Sequence, residues 1–265
     1  MCVEPVSSIR HVLLVALVLL AGCQAVGTGS TPIDTPARTV IEPPYPPTSD
    51  LDGDGLAACQ EHALDGADPG RMDVFVEIDW TTGAKPDPED LDRLRAVYDG
   101  APVHNPAGET GVALHLAFDD ALPARERPLP VENHSDYAAR HFDNDGRGSH
   151  YALFVDEIRG DALGHGENGT LVVQSGVPDR SERFTTQLFA HELGHSLGLT
   201  PDVFAGIDSW DTPIEQYPSV MNGEVARQTD ALDFSNGSNG PGDFDDWEYL
   251  DGNLHDPDAS RLGGC

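Results

Sequence analysis

The chain has 265 residues, 38% of them hydrophobic, enough for one medium globular domain with tails. Its formal charge is −31, from 46 acidic against 15 basic side chains, and the acid is spread along the whole length. So negative a surface repels nucleic acid phosphates and anionic lipid headgroups, which argues against both as partners of the folded part.

In chain order, Arg10 and His11 precede an apolar run from Val12 to Ala21. That run is too short to span a bilayer and suits the hydrophobic core of a signal peptide. It ends in Leu20-Ala21-Gly22-Cys23, which looks like a lipobox, so residues 1–22 are expected to leave as a lipoprotein signal peptide. Cys23 would then carry the lipid, tethering the chain to the outer face of the cell membrane. Residues 23–49, rich in Pro, Thr, Gly and Ser, read as a disordered tether. Removing Cys2 and committing Cys23 leaves Cys59 and Cys265, and an oxidising exterior favours a disulfide between them. Lys85 is the only lysine, and the composition resembles that of proteins from salt-loving archaea, where dense counter-ions screen the self-repulsion.

Residues 50–70 form an acidic segment. Asp50, Asp52 and Asp54 alternate, Gly55 allows a sharp turn, and Glu61 stands at the twelfth place. Carboxylates at this spacing converge on a hard cation, so the segment is expected to bind Ca2+. The proline-rich stretch before it excludes an entering helix, and a lone calcium loop of the dockerin or thrombospondin kind is the better comparison. Asp143 and Asp145 give a much weaker signal of the same type.

Residues 71–265 read as the folded domain. Asp73–Trp80 alternates polar and apolar residues, which predicts a strand. Pro88–Tyr98 predicts a helix with Leu91, Leu94 and Tyr98 on one face. Strands are predicted at Val112–Phe118, Tyr151–Ile158 and Thr170–Gln174, the last as a sheet edge that a peptide could extend. Arg183–Leu197 predicts a second helix, and Asp243–Leu250 a short terminal one, capped by Asp243 or Asp245, with Trp247 and Leu250 packed inward. His104, His115, His134, His141, His150 and His255 are expected as surface or core residues.

The second helix carries His191-Glu192-Leu193-Gly194-His195. Residues four apart share a helix face, so both imidazoles can converge on one Zn2+. Glu192 then stands where a carboxylate can take the proton of a water that zinc has acidified. Apolar neighbours Leu188, Phe189, Leu193 and Leu197 bury the helix. Gly198 follows, and further on comes Tyr217-Pro218-Ser219-Val220-Met221-Asn222.

On these two motifs, in this order, the chain from about Met72 to Asn222 resembles the metzincin zinc metalloproteases. The resemblance implies an α+β fold, with a twisted mixed sheet and an active-site helix above an irregular C-terminal subdomain. It also implies His191 and His195 as zinc ligands, Glu192 as general base and Met221 as an apolar floor below the metal. Two positions depart from the family pattern. The third ligand is expected three residues after the glycine, where this chain has Pro201. Asp202 is preferred for its proximity, with Asp208 as the alternative. Gly223 stands where several members carry a tyrosine, leaving Tyr217 and His165 as candidates to meet the oxyanion, and His165 as a candidate to line the cleft. The expected activity is zinc-dependent endopeptidase action on a protein or peptide substrate by a monomer anchored outside the cell. The alternative is a non-catalytic zinc- and calcium-binding surface protein.

Overall fold

The computed structural model describes residues 45–265 apart from 179, 181, 255, 256 and 264. The signal segment, Cys23, most of the tether and His255 lie outside the described residues. Among the described residues no helix is long and apolar enough to cross a membrane.

In chain order the elements are α1 (Ala58–Glu61), β1 (Asp73–Thr81), α2 (Pro88–Asp99), β2 (Ala113–Leu122), α3 (His134–His141), β3 (Ser149–Val155), β4 (Gly164–Glu167), β5 (Thr170–Gln174), α4 (Glu182–Ser196), α5 (Gly223–Gln228) and α6 (Asp246–Asn253). The five strands form one sheet in the order β2-β1-β3-β5-β4. β1 pairs in parallel with β2 and β3, and β3 with β5, while β4 runs antiparallel to β5. The sheet is therefore mixed and mostly parallel.

Parallel strands need crossovers, and helices on both faces bury them from two sides. Val74, Val76 and Ile78 of β1 face a core shared with Leu91 and Leu94 of α2 and Phe189 and Leu193 of α4. The opposite face carries Tyr151, Leu153 and Val155 of β3 against Tyr137 of α3. α2 starts as Asp87 accepts the Glu89 amide, with Pro88 preset at its first turn.

Thr170–Gln174 is not the edge. β5 sits between β3 and β4, and the edge strand is β4, which the sequence pattern missed. Gly164-His165-Gly166-Glu167 has little strand propensity, and the hairpin turn Asn168-Gly169 supplies what the strand lacks. Both turn residues have positive φ, 47° and 81°, as a tight two-residue hairpin turn requires. α3 was also missed. Beyond α4 only the short helices α5 and α6 occur among the described residues.

The C-terminal segment returns to the start of the domain. Cys59 and Cys265 form a disulfide with their Cα atoms 5.5 Å apart. The Arg261 amide donates to the Gly146 carbonyl (2.7 Å), and the Gly148 amide to Asp258 (2.8 Å).

Candidate metal centre

α4 is buried along most of its length, and its two histidines project from the face that the core leaves open. The His191 Nδ1–H donates to the Val220 carbonyl at 2.9 Å, and the His195 Nδ1–H to the Leu199 carbonyl at 2.7 Å. Each bond fixes the tautomer and leaves Nε2 as a lone-pair donor, the arrangement a metal-binding histidine needs. The two Nε2 atoms are 3.1 Å apart.

Asp208 completes the group. Its Oδ1 lies 3.0 Å from His191 Nε2 and 3.2 Å from His195 Nε2. Three ligands at about 2.0–2.2 Å from a tetrahedral zinc lie about 3.3–3.5 Å from one another, so these atoms stand within a few tenths of an ångström of one face of that tetrahedron. The residues present therefore fit a three-ligand zinc site with one open position.

This corrects the preference for Asp202, which is exposed and lies outside the group. Gly198, at φ 108°, ends α4 sharply, and the Leu199 amide returns to the Gly194 carbonyl. The chain then turns at Thr200–Phe204, where Phe204 packs against Tyr217 and Phe244 with ring centroids 4.9 Å away. Only after that anchor does it come back to the histidines. Asp208 takes φ 58°, unusual for a residue with a side chain, and its amide donates to the Met221 carbonyl.

The electrostatics follow from the cluster. Burial pulls the His191 imidazolium down, but its bond to Asp208 and the Glu192 charge outweigh burial and hold it up at about 9. Burial pushes Asp208 up, yet its bonds to both imidazoles leave it well below the usual carboxylate range. Glu192 is raised, chiefly by burial, with His191 and His195 opposing.

Glu192 faces β4. A Cβ on Gly164 would collide with its carboxylate and one on Gly166 with its backbone, so the two glycines let the edge strand lie directly on α4. His165 points the other way, since its partner Val172 belongs to the opposite core and its ring contacts His134. It neither lines the cleft nor reaches an oxyanion. The cleft beside His191, Glu192 and Asp208 has a volume of about 360 Å³ and is walled by Leu163, Phe184, Leu188 and Trp210. Trp210 explains the glycine at 223. A Cβ there would lie 2.9 Å from the Ser209 carbonyl and 3.0 Å from the indole.

Met221 is fully buried beneath α4, with its sulfur against Gly194. Its turn is pinned from below by Asp246, which sequence reasoning passed over. The Ser219 and Tyr217 hydroxyls donate to the two oxygens of Asp246 at 2.5 and 2.7 Å, and the Ser235 amide at 2.9 Å. Burial raises Asp246 to about 6 against those bonds. Tyr217 is thus a support of the turn and is too deeply buried to meet an oxyanion. Asp245 caps α6 by accepting the Glu248 amide.

Three further acidic groups could hold a cation. Asp50, Asp52 and Asp54 converge, as do Asp54, Glu61 and Asp73. Burial, reinforced by neighbouring carboxylates, raises Asp52 to about 7, Asp54 to about 8 and Glu61 to about 9. The third group joins Glu77, Asp79 and Asp119. There Glu77 accepts from the Asp143 and Asn144 amides, and Asp79 from the Asp120 amide and the Tyr151 hydroxyl. Asp143 and Asp145 belong to no such group among the described residues.

No protein-family model matches the chain, and no curated protein matches it either. Among solved structures it is similar to one titled as a chaperone–substrate complex, at TM-score 0.48 and 12% identity over 70% of this chain. It is also similar to metalloproteinase-II from Bacteroides fragilis, at TM-score 0.40 and 13% identity over 69% of this chain. The chain spans only 34% and 53% of those two proteins' lengths. At such scores the likeness does not decide a function, which has to come from the residues themselves.

Proposed function

We propose that the protein is a zinc endopeptidase of metzincin type, held at the outer face of the cell membrane through Cys23. The observation that carries this reading is the triad of ligand atoms His191 Nε2, His195 Nε2 and Asp208 Oδ1, spaced 3.0–3.2 Å apart, with Glu192 next to them on the same helix. A zinc ion there would act as a Lewis acid on the scissile carbonyl and on water.

The chain's own residues supply the rest. Glu192, whose carboxylate burial keeps weakly solvated, accepts the proton of the attacking water and returns it to the leaving amine. Asp208 and the two carbonyl-anchored imidazoles hold the reaction centre in place. The free edge of β4 can take an extended peptide by main-chain pairing, and Leu163, Phe184, Leu188 and Trp210 can receive an apolar side chain beside the scissile bond. Met221 closes the floor. The lipobox and the Cys59–Cys265 disulfide both support an exterior location.

The reading is tested with the purified protein in concentrated salt. It should carry about one zinc per chain and cleave an unstructured protein in a chelator-sensitive, zinc-restorable way. Bound zinc without cleavage of any peptide in a diverse library would favour the non-catalytic alternative, which the missing tyrosine at Gly223 leaves open.

A further inference from the structure

We propose that Asp50, Asp52, Asp54 and Glu61 bind a calcium ion, and that this ion is the latch on the Cys59–Cys265 disulfide. The proposal does not depend on the peptidase reading.

The loop has already spent part of its oxygen set on shaping itself. Asp50 accepts the Gly53 and Gly55 amides, and Asp54 accepts those of Leu56 and Asp73. What remains is unusual. Both carboxylate oxygens of Glu61 and Oδ2 of Asp52 are buried without any hydrogen-bond partner. Glu61 is 0% exposed and Asp52 7%. Among the described residues none of the four carboxylates pairs with an arginine or lysine. The oxygens gather as two groups, Asp50–Asp52–Asp54 and Asp54–Glu61–Asp73, that meet at Asp54. Anions stripped of water and left without a counter-charge are not a stable arrangement, so the geometry calls for a cation beside Asp54.

The donors choose which cation. All are oxygens, which suits a hard ion and disfavours zinc. Glu61 offers two unused oxygens at once, the bidentate closure calcium accepts, whereas magnesium demands near-octahedral single contacts and keeps its waters. Asp73 adds charge from outside the loop, while its own oxygens serve the Asp68 amide and His115.

The ion's consequence follows from where Cys59 stands. It lies on α1, between Asp54 and Glu61, so the ligands flank the cysteine on both sides. Its amide donates to the Pro47 carbonyl, and the neighbouring Gln60 reaches Ala259 of the C-terminal segment. An occupied loop fixes α1 and with it the buried Cys59, whose partner Cys265 is exposed. An empty one leaves repelling carboxylates around Cys59 and frees the helix to open.

The test uses the intact disulfide-bonded protein, stripped of metals, resaturated with zinc and held at constant ionic strength in KCl. Calcium at about a hundred times its dissociation constant should raise Tm by about 5–10 °C. It should also slow net reduction of the disulfide by dithiothreitol by about tenfold, because attack at the exposed Cys265 releases a Cys59 thiolate that a fixed α1 holds in place to close the bond again. Glu61→Gln keeps the shape and removes the uncompensated charge. Its metal-free form should be at least as stable as the metal-free parent, with neither readout responding to calcium. The proposal is overturned if calcium does no more than magnesium or an equivalent addition of KCl. It is equally overturned if Glu61→Gln responds as the parent does, or if calcium leaves the reduction rate unchanged.

Discussion

Asp208 stands 3.0 Å from His191 although several turns of irregular chain separate it from the helix that carries the histidine. Its backbone is held in a left-handed conformation, and its amide is tied to the carbonyl of Met221. One residue therefore joins the two motifs that define the site.

Asp208→Asn should weaken zinc binding by more than about 100-fold, exceeding the 10–100-fold that loss of a supporting residue typically costs. Asp202→Asn should leave affinity within about twofold, as expected of an exposed turn carboxylate. Competition with a zinc chelator measures both, and equal losses in the two variants would contradict the ligand assignment.

Zinc binding should release about one proton at pH 7, because ligands must shed protons to bind. In the zinc-free protein His191 is held up to about 9 by Asp208 and Glu192 in spite of burial. A raised histidine contributes its stability fully below the unfolded value, about 6.5, and loses it as pH rises through about 9. The raised Asp52, Asp54 and Glu61 ionise over the same range and add a loss of their own in either form; the zinc-free protein should thus lose more stability between pH 6.5 and 9 than the zinc-loaded one. Calorimetry in buffers of different ionisation enthalpy gives the proton count directly.

Gly166→Ala should destabilise the fold by about 1–3 kcal/mol, since the new methyl meets the backbone of Glu192, which cannot yield as a flexible side chain would. Peptidase activity should fall further than stability, as the displaced backbone is that of the proposed general base. Urea unfolding alongside kcat/KM separates the two effects.

Asp246→Ala leaves the Ser219 and Tyr217 hydroxyls and the Ser235 amide buried without their acceptor. A cost of about 3 kcal/mol or more follows from about 1–3 kcal/mol for each orphaned donor. The Met221 turn should loosen with it, which weakened zinc affinity would report.

The sequence showed most clearly what is local and periodic. Pro88–Asp99 and Thr170–Gln174 follow from their patterns almost to the residue, and the histidines of α4 declare themselves by spacing alone. β4 escaped because glycine suppresses strand propensity, although Asn168-Gly169 was a hairpin signal in plain view. Closeness along the chain favours Asp202, but Phe204 must first seat in the C-terminal core before the chain returns to the histidines at Asp208. Asp246 could not be found locally, since its partners Tyr217 and Ser219 stand 29 and 27 residues away and no short pattern encodes their meeting. Asp73 joins the acidic loop in the same way, through a fold contact across 19 residues.

In the proposed function Glu192 moves the proton at a zinc site that it does not itself build. Glu192→Gln keeps the side chain's shape and the ligands His191, His195 and Asp208, so the variant should still bind about one zinc with nearly unchanged affinity. Its peptidase activity should fall by about 10²–10⁴-fold, the range for loss of a general base. A variant that keeps both its zinc and its activity would contradict the mechanism.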